Sequence, residues 1–463
     1  MELRDRYPVL IFEKQEYSLG SRGLEIVFTF DLAGGNRFHP RYFIPARDFF
    51  LPDGLVRDNL ENIIFNIGMI ELISYWKAAC PPRVIIKPFT LHPDQVLWWK
   101  RLYYNGLGEF FYLNSIRTNE TDFMSIEADR AAAYAPKAII HANTAFRGAE
   151  PLIIPVGGGK DSAVTLELLG DSPGAIPLIM NPRQASLDTV TAKGIARKRI
   201  LEISRVVDPG LLELNEQGFL NGHTPFSALL AFVTALSAIL TGAKHIALSN
   251  ESSASEATIE GTGINHQYSK SFQFETDFRE YVTKWICSDI DYFSFLRPVN
   301  ELQIASVFAR YPKYHPVFRS CNAGSKTDSW CGVCAKCLFT WIILSPFLGE
   351  EQLTVIFGHN LLENGTLQPI LEQLTGIAKE KPFDCVGTVN EVNLALCETI
   401  RQQKDTGLPF LLRYYKNSTI YENYCRIDFG NALSRLSGER HLPPLFFKIL
   451  QENFDMTSHT RGD

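Results

Sequence analysis

The sequence predicts an α/β protein built on a doubly wound parallel sheet, preceded by an α+β region and followed by a helical one. Two observations carry this reading. Short apolar strands alternate with helical segments between Pro151 and Ser249, as a parallel sheet with crossover helices requires. A run of three glycines joins the first of these strands to its helix, where open sheets hold ligands.

The opening segment reads as strands. Leu24–Phe30 (LEIVFTF) is β-branched and aromatic and follows a Gly20/Gly23 turn. A helix is expected over 59–79, with Leu60, Ile63, Ile64, Ile67 and Ile70 at three- and four-residue steps. A short strand at 83–87 lies between Pro81-Pro82 and Pro88. From Pro151 come a strand at 152–156, a helix at 162–169, a strand at 175–180, a polar helix at about 192–206 and a strand at 245–249. Beyond Phe347 the pattern is helical with Pro and Gly breaks. The expected division is 1–145 as a substrate-side α+β domain, 146–346 as the sheet domain, and 347–463 as a helical region.

Composition bounds the function. The 463 residues are 45% hydrophobic and 21% charged, with 32 Phe, which excludes a disordered or fibrous chain. A net charge of -6 supplies no global field for nucleic acid, and no nucleic-acid partner is expected. MELRDRYPVL has no long apolar core, so no signal peptide is read. Thr224–Ala243 is twenty residues without a formal charge, long enough to span a bilayer. Five Ser and Thr hydroxyls within it favour a buried helix capped by Thr224-Pro225, and no membrane association is expected. Nine cysteines, four of them clustered, suggest a reducing, cytoplasmic setting and a metal.

Gly157-Gly158-Gly159-Lys160-Asp161-Ser162 is read as a polyphosphate cradle. Glycines let backbone N–H groups approach a ligand, and the helix start behind them adds positive potential. A Walker A loop would need Gly at Ile154 and Ser or Thr at Asp161. A dinucleotide fingerprint would need a carboxylate where the second strand ends, at Met180-Asn181. A glycine turn without a ligand is the remaining alternative.

Cys321-x9-Cys331-x2-Cys334-x2-Cys337 places four soft ligands within seventeen residues and suits a closed, structural zinc site. An iron–sulfur cluster is its rival. The run Ser249-Asn250-Glu251-Ser252-Ser253 follows a strand, so Glu251 is a candidate for holding a metal ion on a triphosphate; a solvated loop is the plain alternative. His266, Tyr268 and Lys270 put three proton-transferring or anion-binding groups within five residues, although His266 is equally readable as a packed or solvated side chain. Arg297 is a candidate substrate-anion clamp or a surface residue.

The loop resembles the Ser-Gly-Gly-x-Asp-Ser motif of the ATP-pyrophosphatase superfamily, matching at Gly158, Gly159, Asp161 and Ser162 and departing at Gly157, where those enzymes have Ser. The cysteine run resembles the zinc-binding tail of the deazaguanine nitrile synthases of that superfamily. In order, GGGKDS, SNESSASE, NHQYSKSFQFE, YFSFLRP and FRSCN ending in WCGVCAKC resemble the bacterial UDP-N-acetylmuramoyl-L-alanyl-L-glutamate epimerase family from about residue 20 to 360. The resemblance implies a cytoplasmic isomerase of peptidoglycan precursor synthesis using ATP, magnesium and zinc. Its substrate would be a nucleotide-sugar peptide, adenylated on its carboxylate with release of AMP and pyrophosphate. It implies ATP-binding roles for Gly157–Ser162, Asn181, Asn250 and Glu251. A nitrile synthase or amide ligase stays open as an alternative. So does an RNA-modifying thiolase, which would need a catalytic cysteine outside the metal site; no lone cysteine stands next to an evident activating group in the sequence.

Overall fold

The computed structural model describes residues 2–33, 35–130, 144–146, 148–255, 268–382, 384–403 and 407–454. Among the described residues eleven strands form the sheet: β1 (Val9–Gly20), β2 (Gly23–Leu32), β3 (Asn36–Phe38), β4 (Arg41–Pro45), β5 (Arg83–Leu91), β6 (Ser125–Arg130), β7 (Leu152–Pro155), β8 (Ala175–Met180), β9 (Leu201–Val206), β10 (His245–Leu248) and β11 (Asp291–Ser294). Their order is β11-β10-β7-β8-β9-β4-β2-β1-β5-β6, with β3 on β2. The five strands β7 to β11 pair in parallel. β9 then meets β4 antiparallel, Tyr42 opposite Arg205.

The parallel half forms because its strands are apolar on both faces. All four residues of β7 are buried. Ile153 packs into one core with Phe232 and Ile239, while Leu152 and Ile154 pack into the other with Leu302, Ile304 and Trp341. Helices therefore cover both faces. The helix Phe226–Thr241 lies on the first face, thirteen of its sixteen residues buried. Its buried hydroxyls donate back along the helix, Thr234 to Ala231 O, Ser237 to Val233 O and Thr241 to Ser237 O, so none of these is stranded. Pro225, without a side-chain cap, occupies the position before it, which revises the expected Thr224 cap. Among the described residues no helix is long and apolar enough to cross a membrane.

The boundaries expected at 145/146 and 346/347 do not divide the hydrophobic interior. One core runs from Tyr7 to Tyr292 and the other from Leu152 to Phe454. The helix Asp53–Trp76 lies against the β1/β2 surface so closely that a Cβ on Gly68 would sit 2.4 Å from the Phe12 ring. At the β4/β9 seam, Arg205 makes a two-pronged ion pair with the fully buried Glu71, at 2.7 and 2.8 Å, and Tyr42 donates to the same carboxylate. The polar helix expected over 192–206 is absent. Helix covers Gln184–Ala192, and 201–206 is β9, where Leu201 and Ile203 face inward and Glu202 pairs with Arg197.

Candidate functional site

Strand order reverses at β7: β8 and β9 follow on one side, β10 and β11 on the other. The carboxyl ends of β7 and β10 therefore flank the crevice where open sheets bind ligands. Gly157–Gly159 leave β7, and Asn250-Glu251 leave β10.

Glycine is sterically required at Gly158, and Gly159 sits close against Ser320. Gly158 has φ +86, and a Cβ there would meet Ser186 N at 2.9 Å. A Cβ on Gly159 would meet Ser320 Oγ at 2.7 Å. Gly157 has open space, so nothing in the packing forbids a serine there. Gly159 caps the helix Lys160–Leu169. Ser162 staples the loop by accepting from Gly158 N–H at 3.2 Å and donating to Gly159 O at 3.0 Å.

Lys160 does not extend into the crevice. The residue is 3% exposed, and its ammonium bonds Asp161 at 2.5 Å and also pairs with Glu301. Burial pulls its pKa down, but the Asp161 and Glu301 charges prevail and hold it well above the ordinary lysine value. Burial pushes Glu301 up, against the Lys160 ammonium. Oxygens of Asp161, Glu251 and Glu301 all lie within 4.8 Å of one another, so this trio could hold a divalent cation. Glu301 was invisible to sequence reasoning. So was Glu391, whose carboxylate accepts from Glu301 N–H at 2.7 Å and from the Thr388 N–H and hydroxyl at 2.6 and 2.7 Å. An Asn-x-x-Gln capping box at 300–303 was the local signal for a helix starting at Glu301.

The remaining candidates fall in several places. Asn250 donates to Ser294 Oγ at 3.1 Å, tying the ends of β10 and β11. Asn181 lies at the end of β8, and its Oδ1 accepts from Arg205 N–H at 2.7 Å, which makes it a link between strands. His266 lies outside the described residues. Tyr268 packs on Phe274 beside Asn105; burial and the Asp277 charge raise its pKa. Lys270, two residues on, turns to Cys385, its Nζ 3.2 Å from the sulfur. This corrects the reading that no lone cysteine stands beside an activating group: the lysine is 115 residues away in sequence.

Arg297 is also corrected. The guanidinium expected to clamp a substrate anion is fully buried and engaged inside the protein. It donates to Glu251 O at 2.6 Å, Lys270 O at 2.5 Å and the Glu275 carboxylate at 3.2 Å. It thus fixes the backbone of two candidate residues at once.

The four cysteines converge. Sγ separations are 3.8 Å for Cys321–Cys334, 3.7 Å for Cys331–Cys337 and 3.5 Å for Cys334–Cys337. A tetrahedron of sulfurs about 2.3 Å from a zinc ion has edges of about 3.8 Å. A cluster that spreads its thiolates over several irons would hold them farther apart. The knot abuts the glycine loop: Arg319 N–H donates to Gly158 O at 2.7 Å, and Ser320 lies against Gly159. Asn322, next to Cys321, donates to Asp384 at 2.6 Å.

Residues 1–295 match the family model of the MurL N-terminal domain, and residues 317–421 match that of the MurL C-terminal domain. A UDP-N-acetyl-alpha-D-muramoyl-L-alanyl-L-glutamate epimerase of Xanthomonas oryzae pv. oryzae is 31% identical over 93% of this chain and 94% of its own. One from a Micromonospora species is 31% identical over 95% and 98%, and one from Salinispora tropica 35% over 73% of each. No solved structure matches.

Proposed function

The chain belongs to the MurL family, and from that premise we propose that it inverts the terminal L-glutamyl residue of UDP-N-acetyl-alpha-D-muramoyl-L-alanyl-L-glutamate, with ATP as co-substrate. The observation that carries the ATP part is the glycine loop at the strand-order reversal, with Asp161, Glu251 and Glu301 grouped beside it. This arrangement supports an ATP-pyrophosphatase-like site. The open backbone around Gly157 and Gly159 and the helix start at Lys160, which favours negative charge, support phosphate binding at this loop.

The chemistry explains a need for ATP. The α-proton of a glutamyl residue beside a free carboxylate is very weakly acidic, because the carbanion would form next to a negative charge. Transfer of AMP to a carboxylate oxygen, with pyrophosphate leaving, gives a mixed anhydride. Its α-proton can then pass to a base while the electron pair moves onto the carbonyl oxygen. Protonation on the opposite face inverts the centre, and water cleaves the anhydride to AMP and product. The two diastereomers are close in energy, so ATP serves activation rather than the equilibrium.

Two or three of Asp161, Glu251 and Glu301 would hold magnesium, which would neutralise phosphate charge. Cys321, Cys331, Cys334 and Cys337 fit zinc as a closed structural site, holding Arg319 and Ser320 against the loop.

The test is to incubate the protein with ATP, magnesium and the substrate in heavy water. AMP and pyrophosphate should form, and D-glutamyl product should carry one deuterium at Cα. Omitting ATP should abolish the exchange. Release of ADP and phosphate, or inversion without ATP, would overturn the adenylate route.

A further inference from the structure

We propose that Cys385, held beside Lys270, is the base that removes the α-proton on one face of the activated glutamyl residue; this rests on the epimerase reading above. Four groups from separate parts of the chain converge here. Lys270 comes from the 3-10 turn Tyr268–Lys270, Asp161 from the start of the helix after the glycine loop, and Glu251 from the end of β10. Cys385 comes from the C-terminal region and is half-buried. Lys270 Nζ and Cys385 Sγ are 3.2 Å apart. The neighbouring stretch is fixed on both sides: Asp384 by Asn322, and Gly387 O by the Lys381 ammonium at 3.1 Å.

The pairing suits a thiolate. A partly exposed sulfur next to an ammonium is the setting that makes a cysteine reactive. Burial draws Lys270 down, but Cys385, then Glu251 and Asp161, hold it above the ordinary lysine value, so its charge persists to face the sulfur. Other cysteines contrast with it. Burial pushes Cys80 up to about 12 and Cys397 up to about 11, leaving both as inert thiols.

In the step proposed, the Cα–H bond breaks and an S–H bond forms. The electron pair enters the Cα–C bond and displaces charge onto the carbonyl oxygen of the mixed anhydride. The Lys270 ammonium, next to the sulfur, is placed to stabilise that oxygen. A second acid, exchanging with solvent, delivers a proton to the opposite face. The new thiol then returns its proton to water, which restores the thiolate. No oxidant or reductant is needed.

Two experiments test it with the full chain. First, α-deuterium incorporation is measured from each diastereomer in heavy water for Cys385→Ala and Cys385→Ser, alongside pyrophosphate–ATP exchange. Removing a general base costs about 10²–10⁴-fold. Exchange should fall at least 100-fold from one diastereomer and persist from the other, whose own base remains. Pyrophosphate exchange, which precedes proton transfer, should continue and report a folded site. Second, iodoacetamide labelling of Cys385 near pH 7 is followed by peptide mass spectrometry. Labelling should be slowed at least tenfold by Lys270→Met and blocked by substrate with ATP. Near-normal exchange from both diastereomers in Cys385→Ala would overturn the assignment alone. Labelling indifferent to Lys270→Met would do the same. Absence of α-exchange in the unmodified protein would instead overturn the epimerase reading.

Discussion

Arg297→Met separates two accounts of the same arginine. A substrate clamp would affect binding and leave stability alone. The structure places the guanidinium at 0% exposure, bonded to Glu251 O, Lys270 O and Glu275. Glu275 is itself 1% exposed, and its Oε1 has no hydrogen-bond partner. Methionine fills much of the volume but leaves this carboxylate uncompensated in the interior. Breaking a buried pair by deleting one partner costs about 3–5 kcal/mol. The carbonyl contacts share the same guanidinium, so their loss is part of that figure and is not added to it. The expected loss is therefore at least ~3 kcal/mol, about two decades in the folding constant. Urea denaturation of the variant reads it directly as a lowered midpoint. Arg297→Met combined with Glu275→Gln should regain part of the loss, because the stranded charge is then gone. A single variant within about 1 kcal/mol of the parent, with a raised KM, would refute the structural account and restore the anion clamp.

Elemental analysis should find about one zinc per chain, and Cys334→Ser should lower both metal content and thermal midpoint, since binding energy is coupled to folding; iron with a visible absorption band would instead indicate a cluster. Asp161→Ala should slow AMP formation by about one to two decades, the size of one charge-assisted contact of ~1.5–3 kcal/mol, and unchanged turnover would remove the loop from the triphosphate. Glu391→Ala strands the buried Glu301 N–H and the Thr388 cap, and a stability loss of about 1–3 kcal/mol should appear in the same urea assay. Burial raises the Asp291 pKa, but the nearby His245 ring and the Arg279 guanidinium outweigh it and hold the carboxyl below its usual range. A depressed carboxylate binds fewer protons folded than unfolded, so its stabilisation is full above about pH 4 and fades as pH falls through the folded value. Asp291→Asn should flatten stability against pH below that point, and an unchanged acid limb would count against the pairing.

What could be read from the sequence was local. β8 falls at 175–180 as expected, because a run apolar on both faces has few other homes. The glycine loop and the four cysteines are each contiguous enough for spacing to carry geometry. β9 was misread as helix because its outward residues are charged, and those charges are met by Arg197 and Arg47 and, from a distant helix, by Glu71. Glu301, Glu391 and Cys385 were unreadable for the same reason. Their neighbours in the site come from 90 to 141 residues away, and no local period marks them. Arg297 was noticed as a charge, but whether an arginine faces a ligand or the interior is decided by tertiary burial.

These long-range contacts give the cysteine knot a reach beyond its own fold. Cys321 sits between Ser320, which meets the glycine loop, and Asn322, which holds Asp384 beside Cys385. A metal there would fix three consecutive residues, and through them both the glycine loop and the Lys270–Cys385 contact. With a metal bound, the knot would give the two loops a shared rigid reference, beside the Lys160–Glu301–Glu391 link. Relaxing it should therefore disturb nucleotide activation and proton transfer together. Asn322→Ala divides the two effects. It cuts only the arm to Asp384, so labelling of Cys385 should change while pyrophosphate–ATP exchange stays near that of the parent. A parallel fall in both would mean that the two loops are coupled by another route.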